Sequence, residues 1–188
     1  GRGLGPADVA TGAVLAGYDE SLWPVLRQAV AEALDGDGSR LLQLADQYRG
    51  LGSYTAYQAV SCVDSAHPEG ARAWASFAAE LEGISPRFGA AIANEMLPCA
   101  TWPVPPEPVN GPVDGAGAGP IVVVGTTGDP ATPVEQAERV AAALEDGYLV
   151  VFDGEGHTAY GSSSCVTAAV DRFLLAGELP EDGLVCRE

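Results

Sequence analysis

The chain has 188 residues, 47% of them hydrophobic, enough to bury the core of one domain or of two small ones. Its formal net charge of −17 sets 26 acidic residues against nine basic ones, all arginine. That balance excludes nucleic acid and anionic membrane as partners, since both are bound through basic patches. No apolar run approaches the ~20 residues of a membrane-spanning helix.

Residues 1–6 read as the interior of a longer polypeptide, without the features of a signal peptide. A short helix follows Pro6, over 8–16. The next runs over 21–34, with Asp19 and Ser21 as cap candidates, Pro24 in its first turn and Leu22, Leu26, Ala29, Val30, Ala33 and Leu34 at helical spacing. Asp35-Gly36-Asp37-Gly38 stops it, and Ser39 is expected to cap a helix through Tyr48. Further helices are expected over 54–63, 68–81 and 86–95. Beyond Cys99 the texture changes, because the prolines of Trp102-Pro103-Val104-Pro105-Pro106-Glu107-Pro108 remove donors and force extended backbone. A glycine-rich joint over 111–119 continues it.

Two β-branched runs then stand out. Ile121-Val122-Val123-Val124 ends in Gly125-Thr126-Thr127-Gly128-Asp129-Pro130, and Tyr148-Leu149-Val150-Val151-Phe152 ends in Asp153-Gly154-Glu155-Gly156-His157-Thr158. Each reads as a buried parallel strand running into a loop. A helix over 133–146 separates them, with Val134, Ala137, Val140, Ala141 and Leu144 on one face. Another follows over 163–176, and an acidic tail carries Cys186. The order strand, Asp loop, helix, strand, His loop brings Asp129 and His157 to one edge of a parallel sheet. In that order α/β-hydrolases deliver the last two members of a Ser…Asp…His triad. Asp129 alone reads as a turn aspartate, and His157 alone as an unassigned loop residue. Together they make an acid–base pair in which the carboxylate orients the imidazole and the imidazole accepts a proton from a nucleophile.

No G-x-S-x-G occurs; Gly83-Ile84-Ser85-Pro86-Arg87 and Gly161-Ser162-Ser163-Ser164-Cys165 each lack the second glycine. Asp153 competes for the acid role but reads as a turn residue of the same loop as His157. His67 reads as a solvated loop residue. The two histidines lack metal-ligand spacing, and Gly125-Thr126-Thr127-Gly128 matches neither phosphate-binding glycine motif, so no metal and no cofactor is expected. Tyr54, Tyr57, Trp74 and Trp102 read as packing residues, and Asp64 and Glu95 as solvated surface acids rather than ammonium ligands. Cys62, Cys99, Cys165 and Cys186 form an even set without metal spacing. Disulfides in an oxidising compartment are expected, against the alternative of free buried thiols. Three connectivities are open, and local pairing, Cys62 with Cys99 and Cys165 with Cys186, is the simplest.

The segments 123–133 and 154–165, with Gly52-Ser53-Tyr54, Ala59-Val60-Ser61-Cys62-Val63-Asp64 and 97–105, resemble secreted actinobacterial tripeptidyl aminopeptidases. These are α/β-hydrolase serine peptidases with a helical lid. The resemblance implies an α/β fold, the C-terminal part of an α/β-hydrolase preceded by a helical lid. It implies lid over 1–104, linker over 105–119 and core over 120–188. It further implies Asp129 as triad acid, His157 as triad base, family cysteines at Cys62, Cys99, Cys165 and Cys186, and a secreted or cell-envelope location. The partners implied are a peptide substrate and the N-terminal half of the same hydrolase, which carries the nucleophile. This chain alone is then expected to be silent. An esterase on the same fold and a non-catalytic binding module are the alternatives.

Overall fold

The computed structural model describes residues 2–52, 54–108, 111 and 113–187. Ser53 of the lid-like motif and Val109, Asn110 and Pro112 of the expected linker lie outside the described residues. The chain divides into two units, one of Gly1–Leu15 and Leu22–Asn110, the other of Ala16–Ser21 and Gly111–Glu188. The second unit therefore takes in a piece of the region expected to be continuous lid.

The first unit is helical. Helix α1 (Pro6–Gly17) starts on proline, whose fixed φ suits a first turn. Asp8 in that turn accepts from the Gly5 N–H at 3.0 Å. A 3-10 turn, Glu20–Leu22, leads into α2 (Trp23–Leu34). The cap expected from Asp19 serves this turn, its Oδ1 accepting from the Ser21 N–H at 2.8 Å. Ser39, expected as the cap, is instead the first residue of helix α3 (Ser39–Gly50), and Asp37 Oδ1, two residues earlier, accepts from its N–H at 2.9 Å. Leu15, Ala29, Leu41 and Leu44 bury the seam between these helices.

Helices α4 (Tyr54–Asp64), α5 (Gly70–Ile84) and α6 (Gly89–Glu95) follow, then a second 3-10 turn, Leu97–Thr101. A Cβ on Gly89 would collide with the Leu81 carbonyl, so α6 meets α5 at backbone distance. Cys62 on α4 is bonded to Cys99 in the turn. His67, expected as a solvated loop residue, is half-buried: its Nε2 lies 3.0 Å from the Ser61 carbonyl oxygen, and its ring packs 5.9 Å from buried Trp74.

The second unit is built on strands β1 (Ile121–Gly128), β2 (Gly147–Glu155) and β3 (Leu184–Cys186), parallel and in the order β1-β2-β3. Helix α7 (Val134–Ala143) connects the first two, and α8 (Ser164–Ala176) precedes the third. Val124 pairs with Val150 and Thr126 with Phe152, and the register slips between Thr126 and Gly128. At that slip Thr127 Oγ1 donates to the Gly154 carbonyl at 3.1 Å and accepts the Gly154 N–H at 3.0 Å. A side chain thus completes the ladder where the bulge interrupts it.

The acidic tail expected around Cys186 is instead β3. Cys186 is buried there and bonded to Cys165 on α8. Asp182 Oδ1 accepts from the Leu149 N–H at 2.9 Å just ahead of this strand. Val150, Ala159, Val166 and Cys186 form the core between sheet and α8. Ser163 Oγ caps α8 by accepting from the Val166 N–H at 3.1 Å, and Gly177 ends it at φ 69°.

Candidate active site

Asp129 leaves β1 in an Asx turn. Its Oδ1 accepts from the N–H groups of Ala131 at 2.8 Å and Thr132 at 2.9 Å. Its Oδ2 accepts the Thr132 hydroxyl at 2.7 Å and, more weakly, the Thr158 N–H at 3.4 Å. His157 Nδ1 stands 3.0 Å from both carboxylate oxygens, which makes Nδ1 the protonated nitrogen. No hydrogen bond to Nε2 occurs among the described residues. The Asp129 side chain is 3% exposed and that of His157 26%.

Burial on its own would raise the Asp129 carboxyl. The hydrogen bonds from Thr132, Ala131 and His157 outweigh it and hold the group down at about 2. The carboxylate is therefore charged and fully engaged, as a group that orients a ring must be.

The loop that carries His157 is strained. Gly156 sits at φ 99° and Thr158 at φ 68°, a left-handed conformation that a β-branched residue disfavours. Burial of Ala159 and the Gly156 N–H bond to the Gly128 carbonyl at 3.3 Å pin both sides of it. On the outer side, the Tyr18 ring meets the imidazole edge-on, with centroids 4.9 Å apart and planes at 80°. Tyr18, Asp19, Glu20, Phe152, Glu155 and Ser162 border the cleft of about 560 Å³ onto which His157 opens.

Asp153 does not hold the imidazole. It lies within β2, not in a turn, and its carboxylate meets Arg187 Nε at 3.0 Å and the Thr127 hydroxyl at 3.4 Å. Of the half-matched serine motif, Ser163 is buried as the α8 cap, and Ser162 lines the cleft. Sequence reasoning missed Thr132, Thr158 and Tyr18. A threonine three residues after a turn aspartate was an available signal for the first. Nothing near Tyr18 in the sequence points to a histidine so far along the chain.

The TAP-like protein family matches residues 85–186, more than half of the chain. Carboxylesterase B of Mycobacterium tuberculosis is 37% identical over 98% of this chain, and serine protease Hip1 of the same species 34% over 98%. Tripeptidyl aminopeptidase of Streptomyces lividans is 29% identical over 97%. The chain spans 38%, 38% and 36% of the lengths of these three relatives. On that match the chain belongs to the TAP-like protein family, and its second unit forms the C-terminal part of an α/β-hydrolase fold.

Proposed function

We propose that this chain supplies the acid, the base and the lid of a secreted serine peptidase of the aminopeptidase type, one that releases tripeptides. The nucleophile belongs to polypeptide outside this sequence, which contains no G-x-S-x-G. One observation carries the reading: Asp129 grips His157 Nδ1 at 3.0 Å and leaves Nε2 as the basic nitrogen. In that geometry Nε2 takes the proton of a serine hydroxyl as it attacks the substrate carbonyl. It returns that proton to the leaving amine, while Asp129 stabilises the imidazolium. Without the serine no acyl-enzyme forms, so the chain by itself is silent. Two disulfides support an oxidising, extracellular location.

An esterase on the same site is the second reading, favoured by the higher identity to carboxylesterase B than to tripeptidyl aminopeptidase. A chimera tests both, with this chain replacing its matched span in the Streptomyces lividans enzyme. Tripeptide release that is lost with His157→Ala is the expected result. Turnover of simple esters without tripeptide release would move the assignment to the esterase. No labelling of the chimera by a fluorophosphonate probe, despite a folded product, would remove the hydrolase role. The chain alone should resist that probe, and labelling of Ser162 or Ser164 would place the nucleophile here instead.

A further inference from the structure

Within the first unit, α1, α3, α4, α5, α6 and the 3-10 turn Leu97–Thr101 border a pocket of about 610 Å³. Its size falls in the range of about 300–1,000 Å³ usual for small-ligand sites. Part of the wall is small and apolar, with Ala10, Val14, Ala91 and Ala100 leaving room that larger side chains would fill.

Charge around this pocket does not cancel. Arg49 Nη1 donates to Asp8 Oδ1 at 2.8 Å and lies 3.7 Å from Asp46 Oδ1. Arg2 reaches the same two carboxylates, Asp46 at 2.7 Å and Asp8 at 3.5 Å. Two guanidiniums thus meet two carboxylates. Glu95, which reads from sequence as a solvated surface acid, is half-buried on the pocket wall and has no ion pair among the described residues. Its companions are phenols. The Tyr48 hydroxyl donates to Glu95 Oε1 at 3.3 Å, and Tyr54 stands beside the same carboxylate. Burial, then the charge of Glu95 and a hydrogen bond to it, push the Tyr54 phenol up to about 12, so it stays a donor at neutral pH. Gln58 Nε2 holds the Glu95 carbonyl at 2.8 Å and steadies the backbone beneath.

A half-buried carboxylate aimed by two donors keeps acceptor capacity, since its oxygens offer about four lone-pair sites. No cation pairs with it among the described residues, and Arg49, which lines the same pocket, is engaged by Asp8 and Asp46. We propose that this pocket binds a primary ammonium on a short apolar body, with Glu95 accepting from the ammonium and the alanine walls taking the neighbouring side chain. Assigning that ammonium to a peptide amino terminus rests on the peptidase reading; a free alkylamine shares its chemistry.

Amide NMR titration of the whole chain with tri-alanine, N-acetyl-tri-alanine and n-propylammonium tests the proposal. Tri-alanine should shift the amides of α6 and the Leu97–Thr101 turn, and bind at least about tenfold more tightly than its acetylated form. Glu95→Gln, close to isosteric, should weaken tri-alanine to the same degree, and acetylation of the ligand makes the same test without touching the protein. Equal binding of the acetylated peptide, or an unchanged affinity in Glu95→Gln, would overturn the ammonium site and point to Arg49 holding the peptide carboxylate. No shift at saturating peptide would overturn it too. If n-propylammonium binds as tightly as tri-alanine, the peptide assignment falls and a small-amine site stands. None of these measurements needs a nucleophile. A failed chimera with intact peptide binding would therefore remove the hydrolase role alone, and the reverse would remove the pocket alone.

Discussion

Each unit carries one disulfide and one constellation of polar groups, yet the two constellations are assembled by different means. Asp129 and His157 sit on loops that leave adjacent parallel strands, and parallel strands bring every following loop to the same edge. Two strand ends are enough to make that pair meet. The Glu95 pocket draws on five helices and a 3-10 turn, and no single alignment brings them together. Sheet geometry tolerates error in the surroundings; a pocket between short helices inherits every error in their packing.

Several substitutions would break or sharpen that contrast. The largest effect is expected at the sheet edge: in the chimera, Asp129→Asn should lower kcat by about 10³–10⁴-fold with KM little changed. A loss under tenfold would mean that the aligned loops are not the machinery. Next comes the helical unit, where Trp74 is 1% exposed and packs on Phe77 and His67. Trp74→Ala should cost about 3–5 kcal/mol in urea denaturation. A cost below 1 kcal/mol would show that this alanine-rich unit repacks around the loss.

The two staples span 37 and 21 residues. Replacing both cysteines of each pair by serine should cost about 4 kcal/mol for Cys62–Cys99 and about 3 kcal/mol for Cys165–Cys186. A reversed order would locate the difference in native packing rather than in chain entropy. A smaller effect comes from the site itself. The Asp129 carboxyl titrates at about 2 in the folded chain against an ordinary 3.8. Its contribution is therefore complete above about pH 4 and lost as pH falls through about 2, worth on the order of 2 kcal/mol. Asp129→Asn should flatten the stability–pH curve in that window, and an unchanged slope would assign it to other carboxylates. Smallest of all, Ser163→Ala should cost about 1 kcal/mol by removing the α8 cap, read by amide exchange at Val166.

The β–α–β unit was legible because Ile121–Val124 and Tyr148–Phe152 are β-branched runs ending in glycine-rich turns. Their far ends were not. Thr127 bridges to Gly154 across a bulge, which extends both strands and draws Asp153 out of the loop where the sequence puts it. Strand β3 escaped because three residues show no periodicity and lie in an acidic stretch. The hydrogen-bonding of Asp129 was half visible: a turn aspartate predicts the N–H bonds to Ala131 and Thr132, whereas left-handed Thr158 runs against the preference of its residue type. Glu95 was misjudged because helical periodicity says which residues face a core and not which flank of a helix a neighbour will shelter.

Connectivity adds a topological consequence. Residues 16–21 belong to the sheet unit, while the chain on either side of them belongs to the helical one. The polypeptide therefore passes from one unit to the other three times, not once. A protease cutting the proline-rich stretch at 103–108 would not release two complete bodies, because the piece holding His157 would have left Tyr18 behind. Gene dissection at that stretch should yield a sheet fragment with an open-walled cleft, and synthesis must deliver residues 16–21 about 140 positions before the histidine they flank.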